Sequence, residues 1–467
     1  MQAIGTTSRA VIDPVELAGF REDLKGHVLA PGEERYETAR AVWNTAYDRR
    51  PALIVRAADA DDVARTVRLA RDSGLPLAVR SGGHSMAAHC TVDDGIVLDL
   101  RDMRALDIDP ERRLAWAEPG LTSGELTAAA HAHGLTVPFG DTASVGIGGI
   151  TLGGGIGWLA RKHGMTIDHL ASVEIVTADG QQLTASAEEN PDLFWALRGG
   201  GGNFGVVTRF QYRLQPLDMV LGGAIVLPAT RDIVRSIVRI AESAPDELTV
   251  IAMLMHAPPA PFIPADQHGA LVVMVGLVYA GDPEEGQRAV APFRALATPV
   301  ADLVSPMPYP AIYQLTAEGS EPMPSTARSM FMRTLDDGTI DAMFERLSQA
   351  TSPMAMVQIR VLGGAMSRVS ADATAFGHRN EPILLAIITP FMGAASAADH
   401  VAWTEDFWAH VSGNASGAYT GFLADEGEAR IRQAYPSETY ARLRALKRRY
   451  DPTNLFRVNQ NIQPSPA

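Results

Sequence analysis

The sequence predicts an α+β protein in which a domain of alternating strands and helices precedes a domain built on an antiparallel sheet covered by helices. Short apolar runs alternate with helical patterns in the first half of the chain, which is typical of the first arrangement. Between residues 217 and 415, longer apolar strand candidates alternate with helices, which is typical of the second. With 467 residues, the chain is long enough for two domains with hydrophobic cores.

The elements of the first half are predicted from caps, turns and apolar runs. Asp59 and the acids after it begin a helix that Gly74 ends. The capping box Thr122–Glu125 begins a second helix, which Gly134 closes, and Asp179-Gly180 is the turn of a hairpin. Strands are predicted at Leu75–Val79, Gly95–Leu100, Leu114–Glu118, Val173–Thr177, Gln182–Ala185 and Val206–Leu214.

The second half combines apolar strands with many methionines. A proline-rich loop is expected at Ala257–Pro264, and a basic helix at Ala441–Arg449 ends before Pro452. Thioethers either fill gaps in a core or form a pocket that adapts to an apolar substrate, and both interpretations are open. The strand candidates are Val250–Met255, Ala270–Val278, Met356–Leu362 and Ile383–Ile388, a helix candidate is Asp341–Gln349, and the methionines are Met253, Met255, Met274, Met330, Met332, Met354, Met356 and Met366.

Composition excludes several classes of partner. The net charge of -14 argues against nucleic acid and against an anionic membrane surface. Cys90 is the single cysteine, so no internal disulfide can form, and Met1–Asp13 lacks an apolar targeting region. The expectation is a cytoplasmic, bacterial protein that is a monomer or a homodimer.

Three glycine-rich segments are the most informative feature. The first, Arg80-Ser81-Gly82-Gly83-His84-Ser85, directly follows a predicted buried strand. Glycines allow positive φ and let consecutive backbone N–H groups converge on an anionic cofactor. The second segment runs from Asp141 to Trp158 and the third from Arg198 to Val207.

These segments and the ending Tyr450–Ile462 resemble the berberine-bridge-enzyme-like (BBE-like) branch of the vanillyl-alcohol oxidase, or p-cresol methylhydroxylase (PCMH), flavoprotein superfamily. The resemblance implies FAD, a PCMH-type FAD-binding fold and hydride transfer from a substrate C–H bond to the flavin. It divides the chain into an N-terminal segment (1–46) that packs on the FAD domain, a PCMH-type FAD-binding domain (47–216), a substrate-binding domain (217–415) and a C-terminal segment (416–467) that returns to the FAD domain. The cofactor-binding residues that it implies are Arg80, Ser81, Gly82, Gly83, His84, Ser85, Asp141, Thr142, Ser144, Val145, Gly146, Gly149, Gly153, Gly154, Gly157, Trp158, Gly205, Val206, Asn459 and Asn461.

The resemblance also implies how FAD is attached. In the family, the histidine at the place of His84 is joined to the 8α-methyl group of the flavin, and imidazole suits this role because it is neutral near pH 7. Many relatives carry a second link from a cysteine, but Thr142 stands at the matching position and cannot form a thioether. FAD is therefore expected to be covalent through His84 only, with Cys90 a buried small residue.

Two other cofactor hypotheses fit less well. A metal site at His84, His89 and Cys90 lacks a second ligand cluster at a matching spacing, so no metal is expected. Gly155–Ala160 matches a dinucleotide fingerprint, with Glu174 as the ribose ligand, but a glycine-rich loop and not a strand is expected before it.

The catalytic residues depart from the pattern of relatives. Tyr419 keeps a family tyrosine, whereas the amide that often follows it is absent. An acid or amide that relatives place after a His-Arg pair is absent too, because Ile387 or a neighbouring apolar residue stands there. Tyr419 is the main candidate for a general base or for a group that orients a substrate hydroxyl. Gln358 and Arg360 are further candidates in the substrate pocket.

The sequence therefore favours an FAD-dependent oxidase of a small to medium, fairly apolar alcohol, amine or related C–H donor, which passes electrons to O2 and forms H2O2. In similar family members the residue at the place of Val145 lies over the flavin where oxygen approaches, and valine leaves room there. A dehydrogenase, an oxidative cyclase and a flavin-binding protein with a decayed active site are the alternatives.

Overall fold

The computed structural model describes residues 14–393 and 397–466. Residues 1–13, for which the absence of a targeting region was predicted and which begin the expected N-terminal segment, lie outside the described residues. The α-helices are α1 (Pro14–Asp23), α2 (Tyr36–Arg40), α3 (Ala60–Ser73), α4 (Ser123–His131), α5 (Ile147–Gly153), α6 (Ala160–His163), α7 (Pro191–Leu197), α8 (Arg231–Glu242), α9 (Pro283–Arg294), α10 (Asp337–Ser348), α11 (Ala365–Arg368), α12 (Ala397–Val411), α13 (Glu428–Gln433) and α14 (Ser437–Tyr450).

The first sheet is small and mostly parallel. Its strands are β1 (His27–Leu29), β2 (Leu53–Arg56), β3 (Leu77–Arg80) and β4 (Ile96–Asp99). They lie in the order β1-β2-β4-β3, with only β1 antiparallel to its neighbour. The predicted helix after Asp59 is confirmed as α3, because the Asp59 carboxylate accepts the N–H groups of Asp61 and Asp62, and Gly74 ends the helix at φ 69°.

The second sheet is antiparallel. The next strands are β5 (Leu106–Asp109), β6 (Leu114–Ala117), β7 (Leu135–Thr136), β8 (Leu170–Val176), β9 (Gln182–Ser186), β10 (Val206–Arg213) and β11 (Gln215–Pro216). The sheet has the order β5-β6-β10-β8-β9, and β7 and β11 form a separate ribbon. The predicted hairpin is confirmed as β8 and β9, and the capping box of Thr122 and Glu125 begins α4.

One element differs from the sequence prediction. The segment Thr142–Gly154, expected as a glycine-rich loop, contains the helix α5. Glycine is a poor helix former, but Ile147, Thr151 and Leu152 of this helix are buried against the surrounding structure. Tertiary packing therefore outweighs the local preference, and the chain before Gly155 is helical and not a strand.

The third sheet is large and antiparallel. Its strands are β12 (Met219–Pro228), β13 (Leu248–His256), β14 (Leu271–Tyr279), β15 (Ala301–Asp302), β16 (Ser305–Pro308), β17 (Ser325–Met332), β18 (Met356–Val361), β19 (Ile383–Pro390) and β20 (Ala415–Gly417). Among the described residues, they lie in the order β15-β12-β14-β13-β18-β19-β17-β20, and β16 also pairs with β12.

The two faces of the large sheet have different partners. Alternate residues such as Val357 and Ile359 of β18 pack in one core with residues of α8, α9, α10 and α12. The residues between them, such as Gln358, point to the opposite face, because strand side chains alternate. The predicted antiparallel sheet with helices on one face is thus confirmed, and the other face is left to form a cavity wall.

The C-terminal segment contacts the glycine-rich part of the first half. The Lys447 ammonium group on α14 donates hydrogen bonds to the backbone carbonyls of Asn203 and Phe456 and to the Asp451 carboxylate, at 2.7–2.8 Å. The sequence placed this helix at Ala441–Arg449, and the structure extends it to begin at Ser437, directly after Pro436.

Candidate active site

One large cavity of about 870 Å³ joins the glycine-rich segments to the open face of the large sheet. This volume lies in the upper part of the range of small-molecule sites, about 300–1,000 Å³. The residues singled out from the sequence that line it are Ser81, Gly82, Gly83, His84, Ser85, Asp141, Thr142, Val145, Gly146, Gly149, Gly153, Gly205, Val206, Gln358, Arg360, Tyr419 and Asn459.

Six of the expected cofactor residues do not line this cavity. The Arg80 guanidinium is buried under the first glycine segment, where it donates to the Cys90 carbonyl at 3.1 Å. Gly157 packs against the Phe139 backbone, and Trp158 lies beneath the large sheet against Gly276. The remaining three are Ser144, Gly154 and Asn461. Gly157 and Trp158 thus make packing contacts, and Ser144 contacts the cavity-lining His84.

Gly82 and Gly146 bring the first two glycine segments into backbone contact. A Cβ atom on Gly146 would lie 2.1 Å from the Gly82 nitrogen, and a Cβ on Gly82 would lie 2.2 Å from the Gly146 nitrogen. The Ser81 hydroxyl accepts the Gly148 N–H at 3.2 Å and donates to the Pro119 carbonyl at 2.6 Å. The two segments therefore form one continuous wall that excludes side chains at their junction.

Replacing Gly146 with alanine should destabilise the protein by about 2 kcal/mol or more, because the new methyl group meets backbone that cannot move aside. Gly149→Ala is the matched control, since a Cβ there meets nothing within 4 Å and lies in the cavity wall. We expect the second variant to keep its free energy of unfolding in urea and to bind the cofactor more weakly. Equal stabilities of the two variants would contradict this account of the junction.

His84 is held by two contacts at one end of the cavity. Its Nε2 atom is 3.0 Å from the Ser144 hydroxyl, and its ring stacks on Trp43 at 5.2 Å between centroids with planes 23° apart. Burial lowers the pKa of the His84 imidazole from 6.5 to about 4. No hydrogen bond within the described residues reaches Nδ1. His84 is therefore a neutral imidazole at physiological pH with one ring nitrogen free to react.

Tyr419 lies on the C-terminal segment with its hydroxyl beside the second glycine segment. The phenol oxygen accepts the Gly155 N–H at 3.0 Å, and its ring packs among Phe331, Phe376 and Phe422. Burial raises the pKa of the Tyr419 phenol, opposed by the Gly155 N–H and by the Arg360 charge. The phenol is therefore neutral near pH 7, and it can donate its own O–H to a molecule in the cavity.

Gln358, Arg360 and Asp141 form a buried polar network across the cavity. The Arg360 guanidinium donates to the Asp141 carboxylate at 2.5 Å and to the Gln358 side-chain oxygen at 2.8 Å. It also lies over the Phe422 ring at 4.9 Å. The network connects the sheet to the second glycine segment and keeps the arginine charge neutralised by its carboxylate.

The rest of the sheet wall is mostly apolar, and Ser325 and Ser329 of β17 are its other polar residues. Of the eight methionines named from the sequence, Met253, Met255, Met274 and Met356 line the cavity, Met330 and Met332 face the helices, Met366 packs in a separate buried cluster, and Met354 is in none of these groups. The position predicted to replace the family's acid or amide, Ile387, also faces the helices, and its neighbours Ala386 and Ile388 line the cavity. The cavity-facing residues of this strand are thus apolar neighbours of Ile387, as the prediction allowed.

Comparison with known proteins identifies the family. Residues 51–186 match the family model described as "FAD binding domain", and residues 418–463 match "Berberine and berberine like". (R)-6-hydroxynicotine oxidase from Paenarthrobacter nicotinovorans is 30% identical, covering 94% of this chain and 97% of the relative. The chain belongs to the BBE-like family of FAD-linked oxidoreductases.

Solved structures of BBE-like proteins have the same fold. The crystal structure of 6-hydroxy-D-nicotine oxidase from Arthrobacter nicotinovorans is similar with a TM-score of 0.86 at 28% identity, covering 95% of this chain and 98% of that one. Xylooligosaccharide oxidase from Myceliophthora thermophila has a TM-score of 0.85 at 24% identity, covering 97% and 100%. The predicted PCMH-type FAD fold and its family are therefore confirmed.

The residues of this BBE-like protein fit FAD. Glycines form the cradle, and a side chain at Gly82 or Gly146 would meet backbone. The Asn459 side-chain oxygen is buried without a hydrogen-bond partner among the described residues, and Asn459 lines the cavity. Such an unpaired acceptor suits a polar group of a bound cofactor.

Sequence reasoning missed two residues that shape the site. Trp43 lies in the expected N-terminal segment, before the FAD-binding domain that the resemblance implies, and nothing in its local sequence points to His84. Phe422 follows Tyr419 closely, but its contact with Arg360 depends on a strand far away in the chain. Asn203, in the third glycine-rich segment, lines the cavity and is hydrogen-bonded to the Gly200, Gln460 and Ile462 backbones.

The described residues contain neither a cluster of metal ligands nor a helix that could span a membrane. Within residues 14–393 and 397–466, no group of three or more His, Cys, Asp or Glu side chains could hold a metal ion. None of the helices in the same ranges is both long and apolar enough to cross a bilayer.

Proposed function

We propose that this protein is an FAD-dependent oxidase of a small to medium, largely apolar alcohol, amine or related C–H donor. The observation that carries the proposal is a single cavity in which the glycine cradle and His84 face Tyr419, Gln358 and Arg360. FAD, when bound, supplies the hydride acceptor and the later reaction with O2 that forms H2O2. The residues of the chain hold the cofactor, position the substrate and exclude water.

His84 supports a single covalent link to FAD. Its neutral ring presents Nδ1, because Ser144 occupies Nε2 and burial disfavours protonation. Trp43 holds the plane of the imidazole by stacking. Thr142 lines the same cavity and offers a hydroxyl where a thiol would be required for a second link.

The sheet wall supports a largely apolar substrate. Methionine side chains adapt to irregular apolar surfaces, and five of them on strands of this sheet line the cavity: Met253, Met255, Met274, Met307 and Met356. Tyr419 serves as a neutral hydrogen-bond donor that orients the substrate, since burial raises its pKa above the ordinary value. The Asp141 carboxylate is paired with Arg360 and therefore adds little net charge to the pocket.

We propose that O2 is the electron acceptor of the reduced flavin, on the basis of Val145 and of the relatives. Val145 lines the cavity, and its backbone carbonyl accepts the Ser123 N–H at 2.8 Å, which fixes the residue at the start of α5. 6-Hydroxynicotine oxidase, which is similar to this chain in both sequence and crystal structure, is named as an oxidase.

Val145→Ile should slow reoxidation of the reduced enzyme by O2, because one added methylene in a close-packed site decides whether a diatomic molecule fits. Stopped-flow mixing of the reduced enzyme with aerated buffer measures the rate. Val458→Ile, which adds the same methylene elsewhere in the cavity wall, should react like the wild type. Slow reoxidation of the wild type itself would favour the dehydrogenase alternative.

A substrate panel tests the proposed function as a whole. Apolar alcohols and amines are mixed with the enzyme without oxygen, and bleaching of the flavin absorbance reports hydride transfer. We expect at least one of these apolar donors to reduce the flavin in seconds to minutes and oligosaccharides to leave it oxidised. Failure of every donor would support the alternative of a flavin-binding protein with a decayed site.

A further inference from the structure

The orientation of the Gln358 side-chain amide is fixed by its neighbour. Arg360 Nε donates to the Gln358 Oε1 atom at 2.8 Å. A guanidinium carries donors and no acceptor, so it selects the amide rotamer that turns the oxygen toward itself. The amide NH2 group must then point away from Arg360.

Arg360 cannot turn away to release this amide. Its Nη2 atom is bonded to Asp141 at 2.5 Å, its Nη1 atom is 3.4 Å from the Ile156 carbonyl, and its guanidinium lies over Phe422. The arginine is 4% exposed, so water competes little for these contacts. The oxygen of Gln358 is therefore held on one side.

The Gln358 NH2 group is left with unused donors. The side chain is 8% exposed, and no hydrogen bond from Nε2 to another described residue exists. Its partners across the sheet are Met253 on β13, whose thioether is only a weak acceptor, and Ala386 on β19, whose side chain has none. Because Gln358 lines the cavity, these donors face it, and a ligand acceptor that replaces water there makes a hydrogen bond worth about 0.5–1.5 kcal/mol.

We propose that Gln358 is a specificity-determining residue that presents only N–H donors, so that the enzyme selects substrates with a hydrogen-bond acceptor on an otherwise apolar body. The acceptor is a carbonyl, ether or hydroxyl oxygen or a ring nitrogen. The inference rests on the proposed function for the identity of the pocket. Tyr419 adds to the selection, because its hydroxyl already accepts from Gly155 and offers the cavity a donor.

Two probes of the same shape test the inference without turnover. Acetophenone carries a carbonyl acceptor, and α-methylstyrene replaces that oxygen with a methylene group. The dissociation constant of each is measured with the FAD-bound enzyme from the change in flavin absorbance. In Gln358→Met, the preference for acetophenone over α-methylstyrene should fall roughly three- to tenfold from the wild-type ratio, the loss expected for one hydrogen bond.

The ratio of the two dissociation constants separates hydrogen bonding from a general change in polarity, because a more apolar wall raises the affinity of both probes. Gln314→Met is the control, since Gln314 also lines the cavity but is exposed to solvent, and its ratio should equal that of the wild type. An unchanged ratio in Gln358→Met, or no saturable binding of acetophenone to the wild type, would overturn the inference. Equal flavin reduction by donors with and without an acceptor would overturn it while leaving the oxidase function intact.

Discussion

His84→Ala should release all of its flavin on acid or denaturant treatment, whereas the wild type should retain its flavin on the protein. The reason is that His84 presents a neutral imidazole with Nδ1 unpaired among the described residues, and Thr142 cannot supply a second bond. Mass spectrometry of a tryptic digest should find the FAD mass on the wild-type peptide that contains His84. The variant should still bind FAD reversibly, because the glycine cradle remains.

His89→Ala is the matched control for this prediction. His89 also lines the cavity, and burial likewise lowers its pKa to about 4. The control should keep its covalent flavin, since nothing in the resemblance or in the site assigns His89 to the link. Covalent flavin in His84→Ala, or its loss in His89→Ala, would refute the assignment.

The lowered pKa of His84 also predicts how attachment depends on pH. An ordinary imidazole with a pKa of about 6.5 is roughly 10% neutral at pH 5.5, so its reaction would slow about tenfold between pH 7.5 and 5.5. Because burial lowers the His84 pKa to about 4, it stays mostly neutral over that interval. Incubation of flavin-free protein with FAD should therefore give similar rates of covalent incorporation at the two pH values.

Local features of the fold could be predicted from the sequence because their causes are local. The Asp59 cap, the Thr122 capping box and the strand alternation of β18 depend on neighbouring residues. Helix α5 was missed because its cause is not local. Its glycines disfavour a helix, and only contacts with residues distant in the sequence stabilise it.

The candidate site was predictable in its residues more than in its contacts. Gly82 and Gly146 indicated close backbone approach, but the sequence did not show that they approach each other. The Arg360–Asp141 ion pair joins residues 219 positions apart, and the stacking of Trp43 on His84 depends on how separate segments pack. Such pairings are set by the tertiary fold and leave no periodic signal in the chain.

Tyr419→Phe should lower the rate of anaerobic flavin reduction by on the order of 10²-fold, because the substrate loses the hydroxyl that orients it, while leaving the flavin absorbance spectrum unchanged. The hydroxyl is the group on this segment that faces the cavity with a free donor, and the phenylalanine ring preserves the packing among Phe331, Phe376 and Phe422. Stopped-flow spectroscopy with a donor from the substrate panel measures the rate. Tyr212→Phe is the control, because Tyr212 is fully buried and bonded to the Thr151 hydroxyl at 2.8 Å outside the cavity.

The pH profile distinguishes the two roles that the sequence left open for Tyr419. A phenolate base would make the rate of flavin reduction rise with pH up to the tyrosine pKa, which burial moves above its ordinary value. A neutral phenol that orients the substrate gives a rate that is independent of pH between about 7 and 9, because the group stays protonated throughout. We expect the second profile. A rate that rises tenfold per pH unit in the wild type, and not in Tyr419→Phe, would instead make Tyr419 the base.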